Sequence, residues 1–373
     1  MNTPATLSIN GSDLLTHSRM QTYRTCARKH QYQYELGVRP SSSADFFRLG
    51  AAVHTGIDVW NKTGEADKAI HDATSPYHAA VMQASSAELA NAIELERETV
   101  VALLNGYFAA WAWDRHEDAE HPLTPVEIIA SELSFDLPIT NPETGATSRT
   151  FRVAGKIDGI VRLRDGRLAV MEHKTTGDSI DSGSDYWLRL RIDHQISLYM
   201  LAAKELGHDV QTVLYNVIRK PSIAPKQIPL LDSNGIKIVE DENGMRVMKK
   251  DGTPRESGDA EKGYKLKQRI EAPDEFGQRL AADIIARPEF YYARQEIPRL
   301  TADLDEFRWE LWQQAQAIRE AQRANRWIRN SGACLSMGRC PYLNVCHNGL
   351  STDELPAGFV RVANIHPELE NPE

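Results

Sequence analysis

Apolar residues recur at two different spacings along the chain, and the spacing separates predicted helices from predicted strands. Val53, Ile57 and Trp60 lie three to four positions apart and predict a short buried helix within residues 49–60. The same spacing predicts helices over residues 89–113, 194–206, 274–286 and 304–329. Alternation of apolar and polar residues predicts strands over residues 126–139, 149–163, 167–176 and 211–220. This succession of elements predicts a mixed α/β fold.

Three further segments stand apart from this core pattern. Ser18 is placed as the N-cap of an N-terminal helix through Met20 and Tyr23, and an aromatic and basic stretch that ends at Gly37 follows it. Residues 231–264 are rich in Asp, Asn, Gly and Lys, which predicts an exposed insertion or a flexible hairpin. The acidic segment that follows Cys346 is predicted to be peripheral.

Composition and charge narrow the class of protein. The 373 residues are 41% hydrophobic and carry a net charge of −9, which is ordinary for a globular protein and argues against a histone-like nucleic-acid binder. No apolar stretch reaches the roughly 18 residues of a membrane span, and the first residues lack the features of a secretory signal. We therefore expect a protein of the reducing cytoplasm, without a membrane partner.

Basic residues are concentrated in two places. Residues 1–50 carry six Lys and Arg against three Asp and Glu, whereas residues 51–136 carry four against fifteen. A second basic cluster precedes the last three cysteines and consists of Arg319, Arg323, Arg326 and Arg329. Each cluster alone is equally well explained as a solvated helix face.

Two acids and a lysine lie on neighbouring predicted strands. Alternation places Glu172 and Lys174 on one face, and Asp158 lies on the preceding strand. A two-residue turn would put Asp158 and Glu172 on opposite faces, whereas a three-residue turn ending in Gly166 would set them directly opposite one another. We predict the second register, because paired carboxylates beside a lysine can hold a hard divalent cation and stabilise a phosphate. The alternative is an ordinary set of surface ion pairs.

Four short motifs occur in an order that is more specific than any one of them. They are LGAAVH at residues 49–54, GKID at 155–158, EHK at 172–174 and QISLY at 195–199. Together they resemble the PD-(D/E)XK nuclease superfamily, and in particular its RecB-like branch, from about residue 18 to residue 346. The resemblance implies a restriction-endonuclease-like α/β core, with a mixed central sheet flanked by helices.

The resemblance also implies roles for individual residues. Asp158 and Glu172 would bind a catalytic Mg²⁺ or Mn²⁺, with the main-chain carbonyl of His173 completing the inner shell and His54 as a further ligand. Lys174 would orient the attacking water and offset charge on the phosphate. Taken without the family, His54 reads as a structural helix histidine.

Three more residues are implied in supporting roles. Glu132, on the strand before, would support the metal shell, and Gln195 and Tyr199 would position DNA from one face of a helix. By spacing alone Tyr199 is equally a core residue.

The four cysteines form a split pattern. Cys334, Cys340 and Cys346 are separated by five-residue gaps, and Cys26 lies 308 residues upstream of the first of them. The spacing alone leaves zinc, an iron-sulfur cluster and buried thiols open. RecB-like nucleases with one cysteine before the core and three after it bind a 4Fe-4S cluster, so the resemblance implies this cluster, with zinc as the alternative. Ala27 replaces a proline common in the family, and the first C-terminal gap is wider than usual.

Such a cluster would join the N- and C-terminal helices. It would also bring Arg28 and Lys29 close to the Arg319–Arg329 cluster, so that the two basic regions form one surface that guides DNA. The implied organisation is an N-terminal helical segment (1–40), a helical part of the nuclease domain (41–125), the catalytic core (126–230), the polar insertion (231–264), a C-terminal helical and cysteine region (265–348) and an acidic tail (349–373).

The resemblance implies a metal-dependent exonuclease that acts on DNA ends or single strands in recombination or repair, in a bacterial or phage-infected cell. Compact nucleases of this kind resemble those of bacteriophage modules. The sequence contains no Walker-type phosphate loop, so a helicase or recombination partner would be a separate chain. The competing classes are a non-catalytic DNA-binding or assembly module that keeps the fold, and a zinc-stabilised adaptor.

Overall fold

A central mixed sheet carries the fold, and the computed structural model describes residues 13–41, 43–115, 121–336, 338–349 and 355–369. In chain order the strands are β1 (Asp13–Leu15), β2 (Val38–Pro40), β3 (Pro125–Thr140), β4 (Thr147–Leu163), β5 (Leu168–Thr176), β6 (Val210–Arg219), β7 (Gln227–Pro229), β8 (Val239–Glu240), β9 (Lys265–Leu266), β10 (Gln268–Ile270), β11 (Tyr292–Pro298) and β12 (Phe359–Arg361). The α-helices are α1 (His17–Thr25), α2 (Ala27–His30), α3 (Ser43–Thr63), α4 (Ala66–Met82), α5 (Ala87–Trp111), α6 (Asp185–Leu190), α7 (His194–Glu205), α8 (Pro273–Ala286), α9 (Pro288–Tyr291), α10 (Thr301–Ala324) and α11 (Leu343–Asn348).

The sheet has the strand order β1-β4-β5-β6-β11, and β3 pairs with the other edge of β4. β5 and β6 run parallel, whereas β4 is antiparallel to both β3 and β5, and β11 is antiparallel to β6. β1 runs parallel to β4 and pairs with it ahead of the segment that pairs with β5. The prediction of a mixed central sheet is therefore confirmed.

Helices cover both faces of this sheet. On one face α7 and α10 contribute buried side chains such as Leu198 and Leu311. On the other face α3, α5 and α8 contribute Ile57, Leu103 and Leu280. Burial of apolar side chains on both faces makes the sheet the middle of three layers. Among the described helices, none is long and apolar enough to cross a membrane.

The N-terminal helix differs from its prediction at its start. Thr16, and not Ser18, is the N-cap, because its hydroxyl accepts a hydrogen bond from the main-chain nitrogen of Arg19. The backbone of Cys26 is extended and ends this helix, and the aromatic and basic stretch then forms α2 and a π-helical turn over Gln31–Glu35. The helix through residues 304–329 ends early, because Asn325 adopts a left-handed conformation with φ of 49°.

The polar segment 231–264 lies largely on the surface, as predicted. It nevertheless contains regular pairing, since β8 pairs with β9 and further bridges join residues on either side of tight turns. Gly235 and Gly244 occupy these turns with positive φ.

Most residues of the described C-terminal segment, 355–369, are exposed or half-buried, but the segment also packs onto the N-terminal part of the chain. β12 pairs antiparallel with β2, and Ile365 and His366 are buried. The hydroxyl of Thr16 donates a hydrogen bond of 2.7 Å to Glu368. These contacts connect residues separated by more than 300 positions, which a local charge pattern does not reveal.

Candidate active site

The β4–β5 hairpin has the three-residue turn that the sequence predicts. The main-chain nitrogen of Leu163 donates to the carbonyl of Arg167 at 2.8 Å, and Gly166 has a φ of 89°. The strand pairs run from Arg162 with Leu168 to Gly159 with Met171. The next position in this register sets Asp158 opposite Glu172, and the predicted register is confirmed.

The two carboxylates and the lysine form a compact group. Asp158 Oδ2 accepts a hydrogen bond of 2.9 Å from the main-chain nitrogen of His173, and Lys174 Nζ lies 2.6 Å from Glu172 Oε1. Glu172 is 1% exposed, and apart from this ion pair its carboxylate has no hydrogen-bond partner among the described residues. A buried carboxylate with an unused oxygen is the kind of donor that a divalent cation satisfies.

Burial makes the ionised forms of both acids costly. It raises the pKa of Asp158 to about 6. Burial, with the nearby charge of Asp158, raises the pKa of Glu172 to about 7. Burial alone would lower the pKa of Lys174, but the charge of Glu172 with that of Tyr199 and Asp158 raises it, so the lysine stays protonated. Lys174 alone therefore does not offset the charge of both ionised acids, and a bound metal ion would provide the additional positive charge.

His54 reaches this group from helix α3. Its Nδ1 lies 3.5 Å from Asp158 Oδ2, and its ring meets the ring of His173 edge to face at 6.3 Å. Burial, assisted by the charge of Lys174, lowers the pKa of His54. A neutral imidazole is the form of histidine that binds metals.

Glu132 lies on β3 between Ser131 and Leu133, whose partners Gly159 and Ile157 flank Asp158, so the register sets Glu132 opposite Asp158. Its φ of 53° is unusual for a residue other than glycine, and its carboxylate forms an ion pair with Lys156. Strained backbone of this kind is concentrated at functional sites. The structure therefore brings Glu132 to the site.

A small cavity of about 10 Å³ lies within this group. It is lined by His54, Asp58, Asn61, Glu132, Asp158 and His173. This volume has room for about one water-sized species. Asp58 was not predicted from the sequence, although it lies one helical turn after His54, and its spacing could have indicated it.

Gln195 and Tyr199 lie on helix α7, and Tyr199 is close enough to Lys174 to influence its pKa. Gln195 Nε2 donates a hydrogen bond of 2.8 Å to the Tyr199 hydroxyl, so the two act as one unit. Tyr199 also packs against Phe135 and the core of the sheet. Both interpretations of Tyr199, as a core residue and as a neighbour of Lys174, agree with its position.

All four cysteines line one cavity of about 390 Å³, which Arg28, Lys29 and Arg329 also line. Burial raises the pKa of Cys334, and the charges of Cys340, Cys26 and Cys346 add to this effect. The main-chain nitrogen of Asn330 donates to Cys26 Sγ at 3.5 Å. The structure thus brings together thiols from the two ends of the sequence.

The side chains at the carboxylates and at the cysteines are both of types that bind metals, although the donors at each place stand far apart. Within the described ranges no group of three or more His, Cys, Asp or Glu side chains stands close enough to hold a metal ion directly. At the carboxylates, the unused oxygen of Glu172 and the oxygen-rich donor set fit Mg²⁺ or Mn²⁺. At the cysteines, four thiols around one cavity fit a soft metal centre.

Comparison with known proteins places the chain in a family. Residues 14–347 match the family model described as the PD-(D/E)XK nuclease superfamily, and the chain belongs to this superfamily. Its mixed sheet flanked by helices fits the fold of the family, whose members are usually nuclease hydrolases that use Mg²⁺ or Mn²⁺. A search of curated proteins gave no match.

Proposed function

We propose that the chain is a metal-dependent exodeoxyribonuclease of the RecB-like branch, which hydrolyses DNA ends or single strands in recombination or repair. The observation that carries the proposal is the register that sets Asp158 opposite Glu172, with Lys174 beside them and His54 facing Asp158. We place this activity in the cytoplasm of a bacterial or phage-infected cell.

The proposed roles follow from the donors and charges. Asp158 and Glu172, with the main-chain carbonyl of His173 and the ring of His54, would hold Mg²⁺ or Mn²⁺. A metal ion held by these residues would lower the pKa of a bound water and offset negative charge at the phosphate. Lys174 remains protonated, so it can orient water and attract a phosphate oxygen.

Neighbouring side chains hold these groups in place. Glu132 pairs with Lys156 beside the small cavity, so it positions the strand that faces Asp158. The hydrogen-bonded pair of Gln195 and Tyr199 presents polar groups next to Lys174, where a DNA strand would pass.

The test is degradation of end-labelled single-stranded and double-stranded DNA with Mg²⁺ or Mn²⁺. Glu172→Ala and Lys174→Ala should each lower cleavage by at least about 100-fold and retain DNA binding, since both groups act on the reacting phosphate. Glu240→Ala and Lys267→Ala are matched controls, because these residues form an ion pair of the same 2.6 Å on the surface insertion. Retained DNA binding by a wild type that does not cleave would favour the non-catalytic DNA-binding module.

A 4Fe-4S cluster is our proposal for the four cysteines, with zinc as the alternative. Zinc holds sulfur at about 2.3 Å in a tetrahedron, which sets the sulfur atoms about 3.8 Å apart. The described cysteines surround a cavity of about 390 Å³, which has room for a centre larger than a single ion. It would tie α2 to the C-terminal cysteine segment and, with Arg28, Lys29 and Arg329, edge a basic surface for DNA.

Removal of one thiol tests this centre. Cys26→Ala should lose the metal and lower the thermal stability of the whole domain, because the centre closes a long loop. Iron, zinc and acid-labile sulfide are measured after anaerobic purification, beside the visible absorption spectrum. Ser336→Ala, an exposed change in the same segment, is the control. Full metal content and unchanged stability in Cys26→Ala would contradict the proposal, and zinc without sulfide would select the alternative.

A further inference from the structure

A larger cavity opens beside the candidate metal site. It has a volume of about 400 Å³ and is bordered by α3, α5, β3 and the β4–β5 hairpin. Asn61 lines both this cavity and the small cavity that contains Asp158, so the two are neighbours. Because His54, Asp58 and Asn61 follow one another on one face of α3, that helix leads from the metal site into the larger cavity.

The walls of the larger cavity are mainly apolar and aromatic. Trp60 and Tyr107 are largely buried behind it, whereas Val126 and Ile128 are 45% and 39% exposed. A strand that exposes two branched apolar side chains beside a catalytic centre has a surface suited to stacking or to apolar contact. A volume of this size is typical of sites for small planar ligands.

One end of the cavity carries a fixed cation. The Arg294 guanidinium lies 2.6 Å from Asp114 and 3.8 Å above the ring of Trp111, and its Nε donates to Asn216 Oδ1 at 2.5 Å. These three contacts hold Arg294 in one orientation, and its side chain is only 8% exposed. A preorganised guanidinium beside apolar walls can recognise a polar edge of a flat ring.

A row of polar residues connects this cation to the metal site. Arg294 and Asn216 are paired positions of β11 and β6, and Asn216 and His173 are paired positions of β6 and β5. All three side chains lie on one face of the sheet. Asn216 Nδ2 and both ring nitrogens of His173 are buried without a hydrogen-bond partner in the part of the chain that the structure describes. The row ends at His173, the residue that follows Glu172, so it fixes the distance between the larger cavity and the proposed metal ligands.

We infer that the larger cavity binds a single unpaired nucleobase of the DNA strand that is cleaved. The inference rests on the proposed function, since it takes a DNA strand as the substrate. A base within a duplex is stacked on both sides and cannot enter such a cavity, whereas an unpaired base can leave the strand and meet the apolar walls and the polar end. The site therefore selects single strands or frayed ends.

The test measures binding and does not depend on cleavage. Fluorescently labelled single strands are titrated with the protein in Ca²⁺, with one abasic site placed at each position in turn. One abasic position should weaken binding by about 5- to 150-fold, which is the range for loss of one base-stacking contact. Val126→Trp fills the mouth of the cavity, and the intact and abasic strands should then bind within about twofold.

Two further variants separate the cavity from general effects. Val360→Trp is the matched control, because Val360 is 43% exposed on the short strand β12 and does not line the cavity, and it should keep the abasic effect. Asn61→Leu introduces no bulky side chain and should still reduce the abasic effect. Thermal denaturation checks the fold of each variant. A flat abasic profile in the wild type, or an unchanged effect in Val126→Trp, would overturn the inference.

Cleavage assays on the same strands keep the two proposals distinct. A protein that cleaves DNA but shows a flat abasic profile would retain the proposed function and lose the base site. A protein that shows the abasic effect without cleavage would retain the base site and lose the proposed function. Equilibrium dialysis with deoxynucleoside monophosphates distinguishes a strand from a free nucleotide, and tighter binding of the free nucleotide than of the strand would also overturn the inference.

Discussion

Glu172→Gln should make the metal-free protein more stable. Burial raises the pKa of Glu172 from 4.5 to about 7, so the folded protein resists an ionisation that the unfolded chain allows. A shift of this size corresponds to about 3 kcal/mol, at about 1.4 kcal/mol for each pH unit. Because the pKa of Glu172 is higher in the folded protein than in the unfolded chain, Glu172 does not reduce the stability of the wild type below pH 4.5. It loses stability as pH rises to about 7.

Urea denaturation in EDTA at several pH values between 4.5 and 8 measures this effect. The difference in unfolding free energy between Glu172→Gln and the wild type should grow with pH and level off at about 3 kcal/mol above pH 7. Added Mn²⁺ should then stabilise the wild type more than the variant, because the variant has lost a charged donor. Glu172→Gln should therefore be more stable than the wild type without metal, and it should lose the proposed cleavage.

Glu271→Gln is the contrasting control. Glu271 is 5% exposed, but its hydrogen bond from Arg279 lowers its pKa below the usual value. Removing that charge should therefore destabilise the protein, and more so as pH rises. Our account of the site would be refuted if Glu172→Gln had no pH-dependent advantage over the wild type, or if both variants changed stability in the same direction.

Two further predictions concern the N-terminal packing. The Arg19 guanidinium is 1% exposed and pairs with Asp13 and Glu35, so Arg19→Met should cost about 3–5 kcal/mol in urea denaturation. Arg323→Met, at an exposed pair on α10, should change stability by less than about 0.5 kcal/mol, and equal losses would contradict this account. Burial with the charge of Arg19 lowers the pKa of His30 to about 2, so below pH 6.5 His30 alone should contribute a loss of about 1.4 kcal/mol per pH unit to the stability of the wild type. His30→Gln should flatten this slope and exposed His78→Gln should not, as measured by denaturation at pH 4.5–7.

The sequence predicts the centre of the site because its determinants are local. Alternation along β5 fixes the common face of Glu172 and Lys174, and the turn ending in Gly166 fixes the register that brings Asp158 opposite them. Each of these features depends on residues within one hairpin. The helix α7 was predicted almost to the residue for the same reason, since its apolar spacing is uninterrupted.

The outer parts of the site depend on distant residues and could not be predicted in the same way. The positive φ of Glu132 and its place opposite Asp158 arise only when β3 pairs with β4. Asp58 joins the small cavity only because α3 packs over the sheet. Arg294 becomes relevant through the antiparallel pairing of β11 with β6, which no spacing along the chain specifies.

The pairing of β12 with β2 has a consequence for the order of synthesis. On the ribosome, residues 38–40 emerge long before residues 359–361, so β2 must wait for its only β-ladder neighbour in the described fold until all of the central sheet has been made. Cys26 likewise emerges long before Cys334, Cys340 and Cys346. The central sheet therefore has the opportunity to collapse first, and the clasp formed by the N-terminal and C-terminal segments closes last. A polypeptide released early would lack that clasp, so we expect it to be more open to proteolysis than the finished chain.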